Sequence, residues 1–322
     1  MTEIAFRSLG NSTLSVSIVG IGCNNFGRPH TMTESQEGTT SVIDRVIELG
    51  ITFLDTADTY GRVPGLSETL LGVALKGRRD QVVLATKFGH SGYDLPGASG
   101  WGPKGSRGYI RNAIDASLAR LQTDHIDLYQ MHTPDDQTPI EETLGALEEL
   151  VVEGKIRFYG NSNFSAEQIF DANASAHASN QVGFVSVQNE YSLLARSVED
   201  AVLPTAKKLG LGFLPYFPLH NGLLTGKFSR EGGPADSRIV KTRKYIHENA
   251  PWDTLEALEA FCRDRGITLL MASFAWLLAQ APVASVIAGV TKPEQVEANA
   301  LAAVSWRPPA EDIATLSEIV AS

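Results

Sequence analysis

Two cysteines in 322 residues, Cys23 and Cys262, are too few for a disulfide framework, and they form no CxxC metal spacing. A stapled secreted scaffold and a cysteine-based metal knuckle are both excluded, and a reducing compartment fits. Positive charge is also short. The 27 Lys and Arg face 37 Asp and Glu, a formal net charge of -10 at pH 7. Nucleic-acid backbones and anionic membrane surfaces repel such a chain, which sets both aside as principal partners. No apolar run approaches the roughly 18 residues that span a bilayer. The start, MTEIAFRSLGNSTLSVS, lacks the apolar region of a signal peptide, so a cytoplasmic protein without a membrane partner is expected. Apolar residues are not scarce: 43% hydrophobic against 20% charged excludes disorder and suffices for a large core. The length suits two ordinary domains or one large α/β barrel, and regular strand spacing favours a single domain over 1–322. No repeat of 20 to 50 residues is visible.

Seven short apolar runs each end in a polar or aromatic cluster: ITFLDTADTY, QVVLATKFGH, HIDLYQMHTP, IRFYGNSNFS, FVSVQNEYSL, LGFLPYFPLH and ASVIAGVTKP. A (β/α)8 barrel needs this pattern, with branched apolar residues along each strand and chemistry where strands feed loops at one rim. A strand from Ser15 to Gly22 completes eight. The polar turn Gly10-Asn11-Ser12 before it predicts a small N-terminal β-hairpin closing the barrel's bottom. Thr138-Pro139-Ile140-Glu141, Ser165-Ala166-Glu167-Gln168 and Thr291 to Glu294 read as capping boxes. Helix starts are also expected at Ser197 and Asp253. Gly50, Gly154, Gly210 and Gly266 stand where helices stop. Two segments exceed simple connections, His90 to Lys104 and His220 to Pro251, and long rim loops are functional suspects.

Asp55, Tyr60, Lys87 and His132 fall at the ends of three neighbouring strands. A tyrosine, with an ordinary pKa near 10, donates a proton at neutral pH only beside a cation that stabilises its phenolate. Lys87 supplies that cation, Asp55 keeps it protonated, and His132 is placed to orient a substrate oxygen. The constellation fits reduction of a carbonyl.

The stretches Asp55-Thr56-Ala57-Asp58-Thr59-Tyr60-Gly61, Ala85-Thr86-Lys87-Phe88, His132, Gly160-Asn161-Ser162-Asn163-Phe164, Gln188-Asn189-Glu190-Tyr191 and Pro218-Leu219 together resemble the aldo-keto reductases. The likeness runs in order over nearly the whole chain and is nearest to bacterial members related to potassium-channel β subunits. It implies a barrel with a nicotinamide cofactor across the rim, Tyr60 as general acid, Lys87 and Asp55 tuning it, and His132 beside a small-molecule carbonyl substrate. No metal is implied. It further implies that Ser162, Asn163 and Gln188 bond the carboxamide and that Tyr216 stacks on the nicotinamide. Pro218, Leu219, Gly222 and Lys227 would follow the adenine half, which would reach Gly289, Gln295 and Asn299. Lys227 and Arg238 would pair the 2'-phosphate of NADP, which is therefore favoured over NAD. Many members of the family place an arginine where this chain has Gln295; the channel β-type branch has glutamine there and still takes NADP.

Plainer readings compete. One Asp-Lys pair is ordinarily structural, and only Tyr60 and His132 lift it above that. Asp58 is expected to stabilise the turn between Asp55 and Tyr60. Gly20-Ile21-Gly22 is similar to the opening of a dinucleotide fingerprint, but Asn25 stands at its sixth position and a rim turn is expected. Trp101 is a substrate wall or loop packing. Asn189-Glu190 matches the acid/base dipeptide of retaining glycosidases, yet no second carboxylate is offered at the ends of strands seven and eight. A metal hydrolase lacks the extra histidines. A nicotinamide-binding regulatory subunit and a sugar dehydrogenase running the same chemistry in reverse complete the alternatives.

Overall fold

The computed structural model describes residues 3–235 and 237–321. Strand β1 (Phe6–Ser8) pairs antiparallel with β2 (Ser15–Ser17), Phe6 opposite Ser17. Eight parallel strands follow: β3 (Val19–Gly22), β4 (Phe53–Asp55), β5 (Val83–Phe88), β6 (Ile126–Met131), β7 (Ile156–Ser162), β8 (Ser186–Gln188), β9 (Gly212–Phe213) and β10 (Val286–Gly289). They lie in chain order with β10 beside β3. A parallel bridge joins Phe213 to Val283. There Phe213 N donates to Pro282 O and Ala284 N to Phe213 O, both at 3.0 Å. The sheet thus closes on itself as a (β/α)8 barrel with an N-terminal hairpin.

The single strand expected from Ser15 to Gly22 is two. Ser15–Ser17 turns away into the hairpin, and only Val19–Gly22 joins the barrel. Gly20 and Gly22 lie within that barrel strand rather than in a rim turn. Their smallness is steric: a Cβ on Gly20 would stand 2.6 Å from the Phe53 ring.

Period-two alternation sorts the barrel interior into layers. Phe53, Ala85 and Leu128 point into a lower layer, with Val185, Leu214, Ala284 and Ile287. Leu9, Leu14 and Val16 from the hairpin plug this layer from below. Two residues further along the same strands come Asp55, Lys87 and Gln130, so the layer above is polar. β4, β5 and β6 therefore each supply one side chain to the core and one to the polar layer.

Outside, amphipathic helices cover the strands. The helix Gln36–Glu48 starts at Ser35, whose hydroxyl accepts from Gly38 N, and buries Val42, Ile43 and Val46. It stops before Gly50, held at φ 72°, where a side chain would be strained. Ser165 and Gln168 form the expected capping box, at 3.2 and 2.9 Å. The box expected at Thr138 is absent: Pro139 caps the helix Ile140–Val152 and Thr138 Oγ1 donates to Asp135 Oδ2 at 2.8 Å. At the helix Pro293–Ser305 the cap is Lys292, and Thr291 bonds the Gln295 side chain instead. Among the described residues no helix is long and apolar enough to cross a membrane.

Candidate active site

The upper layer of the barrel is built on Asp55 and Lys87, both buried. Lys87 Nζ donates to Asp55 Oδ2 at 2.6 Å and to Thr56 O at 2.9 Å. Asp55 Oδ1 accepts from Gln130 Nε2 and Gln188 Nε2, each at 3.1 Å. The ammonium has two oxygen acceptors and the carboxylate three donors, the kind of bonding under which two charges persist out of water. Burial alone disfavours the ammonium. The Asp55 carboxylate, with Tyr60, more than offsets it and holds the Lys87 pKa above an ordinary lysine's.

Tyr60 reaches this pair from the turn after β4, its ring centroid 5.1 Å from Lys87 Nζ. Burial raises the phenol's pKa, while the Lys87 ammonium and the Asn24 amide at its hydroxyl draw it down. The net direction is upward, against the lowered value that the sequence suggests, because the site excludes water from the phenolate more than Lys87 attracts it. At neutral pH the phenol keeps its proton. His132 stands edge-on to Tyr60, ring centroids 5.8 Å apart, and edge-on to His90 at 4.5 Å. Burial first, then the charge of Lys87 and the neighbouring His90, holds His132 far below the usual imidazole value. It is a neutral ring whose Nδ1 has no partner among the described residues. A protonated phenol, a neutral imidazole and a fixed ammonium thus share one mouth, an arrangement able to give a proton to an oxygen acquiring negative charge.

A second network adjoins the first. Ser162 Oγ donates to Gln188 O at 2.8 Å; Asn163 Nδ2 donates to His132 O at 2.9 Å and to Ser162 Oγ at 3.1 Å. Tyr216 OH closes it by donating to Asn163 Oδ1 at 2.9 Å. Asn163 sits at φ 63°, and Phe217, His220 and Asn221 follow Tyr216 with φ of 50, 44 and 59°. Left-handed non-glycine residues cost about 1–3 kcal/mol each and cluster at functional sites. Gly222 continues the run at φ 112°, which a side chain would strain. Pro218 is buried and Leu219 half-buried in this turn.

A sequence model of the Aldo/keto reductase family matches residues 18–321. The chain belongs to the aldo/keto reductase family. It is 37% identical over 314 residues to the protein named Uncharacterized oxidoreductase YqkF of Bacillus subtilis (strain 168), covering 96% of this chain and 94% of that one. It is 35% identical over 295 residues to Probable aldo-keto reductase 1 of Glycine max, covering 90% and 82%. It is 32% identical over 334 residues to L-glyceraldehyde 3-phosphate reductase of Escherichia coli O157:H7, covering 99% and 93%.

The remaining expected residues of this aldo/keto reductase lie along the rim after β9 and β10. Lys227 is exposed and without an ion pair among the described residues; Arg238 is half-buried. Gly289 ends β10, Gln295 is folded back on Thr291, and Asn299 is buried at 5% exposure. Asp58 does not brace its turn. Both carboxylate oxygens are buried without partners among the described residues, and burial followed by repulsion from Glu68 drives its pKa far up. Trp101 packs edge-on against Tyr109 at 5.5 Å and against the core. The residues missed by the sequence reading are Gln130 and Asn24. Gln130 was within reach, since it sits two residues before His132 on a strand whose neighbours face inward.

Proposed function

We propose that this aldo/keto reductase reduces aldehydes and ketones to alcohols with NADPH, Tyr60 acting as general acid. The observation that carries the reading is the satisfied, buried Asp55–Lys87 pair set against a protonated Tyr60 and a neutral His132. When bound, the nicotinamide supplies the hydride. Tyr60 gives its proton to the carbonyl oxygen, and Lys87 stabilises the phenolate left behind. His132, neutral and with a free ring nitrogen, orients that oxygen by a hydrogen bond.

The chain offers places for both halves of the cofactor. Ser162, Asn163 and Gln188 present amide and hydroxyl groups beside Tyr216, whose ring supports the nicotinamide. Arg238 is a half-buried guanidinium without a carboxylate among the described residues, and burial together with Arg28 and Arg243 pushes its pKa down to about 10. A cation so placed calls for an anion, and with Lys227 it would take the 2'-phosphate. Pro218, Leu219, Gly222, Gly289, Gln295 and Asn299 would line the adenine half. A relative named as a reductase of an aldehyde supports the direction of the chemistry. In this reading the enzyme works in the cytoplasm, where buried Cys23 and Cys262 stay free thiols.

The test is titration with NADPH and NADH followed by cofactor fluorescence, then cofactor oxidation against a panel of aldehydes for the parent enzyme and Tyr60→Phe. The variant should bind NADPH normally and lose about 100-fold or more in turnover, the usual weight of general acid catalysis. Turnover that survives the change removes Tyr60 from the role. Tight cofactor binding without turnover by the parent enzyme gives the chain to the regulatory-subunit reading.

A further inference from the structure

Gln130 takes no part in the proton transfer described above, yet it is fully buried and both ends of its amide are bonded. It stands on β6 directly opposite Lys87 on β5. Its Nε2 donates to Asp55 Oδ1 at 3.1 Å, and its Oε1 accepts from Gln188 Nε2 at 3.3 Å. Burying an amide costs free energy unless its nitrogen and oxygen find partners, and these two bonds meet that cost. Gln188 lies two strands away on β8. Gly160, opposite Gln130 on the intervening β7, has no side chain to bar the reach between them.

The direction of these bonds is not free. A carboxylate accepts hydrogen bonds and donates none, so Asp55 turns the nitrogens of both glutamines toward itself, each at 3.1 Å. That leaves the Gln130 oxygen for Gln188. The two amide hydrogens of Gln188 are then both taken, one by Asp55 and one by Gln130, and only its oxygen is left to offer. The neighbouring side chains repeat the pattern. Asn163 Nδ2 gives its two hydrogens to His132 O and Ser162 Oγ, and the Ser162 hydroxyl gives its own to Gln188 O. The side-chain donors of Ser162, Asn163 and Gln188 are therefore spent inside the protein, while their side-chain oxygens still have lone pairs to give.

We propose that Gln130 is a positioning residue: by bonding Asp55 and Gln188 together it holds the Gln188 amide with its oxygen toward the nicotinamide subsite, so that the subsite recognises the N–H of the carboxamide rather than its C=O. The inference rests on the reading of Ser162, Asn163 and Gln188 as that subsite. Gln130 acts on the cofactor only through Gln188.

The experiment displaces NADPH, followed by its fluorescence, with NADP and with its 3-acetylpyridine and thionicotinamide analogues. The first analogue keeps the carbonyl and has methyl in place of NH2; the second keeps NH2 and has sulfur, a weak acceptor, in place of the carbonyl oxygen. The parent enzyme should hold the acetylpyridine analogue about tenfold or more weaker than NADP, the scale of an acceptor left unpaired, and the thio analogue within about threefold. Gln130→Met and Gln130→Leu should cut the acetylpyridine penalty to about threefold or less, because a Gln188 amide held at one point regains a free N–H and can turn. Gln130→Glu is the rescue. At about pH 6 a carboxyl buried beside Asp55 carries its proton, so its O–H donates to Asp55, its C=O accepts from Gln188, and the parent's penalty should return. A parent enzyme that binds NADPH but shows no penalty overturns the inference and leaves the reductase reading standing. So do a thio analogue as weak as the acetylpyridine one, a full penalty in the apolar variants, and a Gln130→Glu enzyme that behaves like them. If neither apolar variant folds, Gln130 props the barrel rather than the cofactor and the proposal falls. A parent enzyme that binds no nicotinamide nucleotide takes the reductase reading and this inference down together.

Discussion

Asp58 and Asp55 are three residues apart, equally buried, and opposite in chemistry. Asp55 accepts from Lys87, Gln130 and Gln188, whereas both carboxylate oxygens of Asp58 lack a donor among the described residues and burial drives its pKa well up. The pKa of Asp58 is raised by folding, so the folded protein binds a proton that the unfolded chain releases above its ordinary value of 3.8. The stability linked to that proton is complete below 3.8 and is lost as pH rises through the higher folded value. Asp58→Asn keeps the shape and removes the titration. It should leave stability near the parent's at pH 4 and raise it above the parent's at pH 8, by about 1.4 kcal/mol for each unit by which folding raises the Asp58 pKa. Urea midpoints at the two pH values decide it. If parent and variant change in parallel with pH, the carboxyl is not held neutral.

The hairpin of β1 and β2 and the polar layer occupy opposite ends of the same barrel, and that separation is testable. Leu9 and Val16 are fully buried in the lower layer. Leu9→Ala should cost about 2–5 kcal/mol through lost burial and the cavity left behind. With substrate, KM should stay unchanged at 25 °C, because Phe53, Ala85 and Leu128 stand between the cavity and Asp55. Denaturant melts and steady-state kinetics on one preparation separate the two effects; a raised KM would show that the bottom of the barrel positions the top. The strands were legible in the sequence because alternation and rim chemistry repeat on each of them. So were the helix stops at Gly50, Gly154, Gly210 and Gly266, all with positive φ. Thr138 and Thr291 misled because a capping box is a local pattern, and Asp135 and Gln295 offered those residues better partners. Asn24 was not legible at all. Nothing in CNNF marks a site until the fold sets the Asn24 side chain against the Tyr60 hydroxyl.

Across the whole molecule, charge is distributed against its own average. The chain carries -10, yet the segment after β9 carries Lys227 and Arg238, neither with an ion pair among the described residues. A negative surface repels a dinucleotide at long range, and a basic rim turns that repulsion into attraction at the place of binding. The extra phosphate of NADPH should therefore matter more than its contacts alone suggest. Lys227→Ala with Arg238→Ala should weaken NADPH by about tenfold or more, the scale of lost charge-assisted bonds to a phosphate, while NADH changes little. The parent enzyme's NADPH affinity should also fall with added salt more steeply than its NADH affinity, because charges at a half-exposed rim are screened within about 10 Å at 0.1 M ionic strength. The double variant should lose that difference in slope. Fluorescence titrations of both cofactors at low and high salt, on parent and variant, read all four affinities. If NADPH and NADH weaken equally, or if the salt slopes are parallel from the outset, the two cations do not answer the 2'-phosphate.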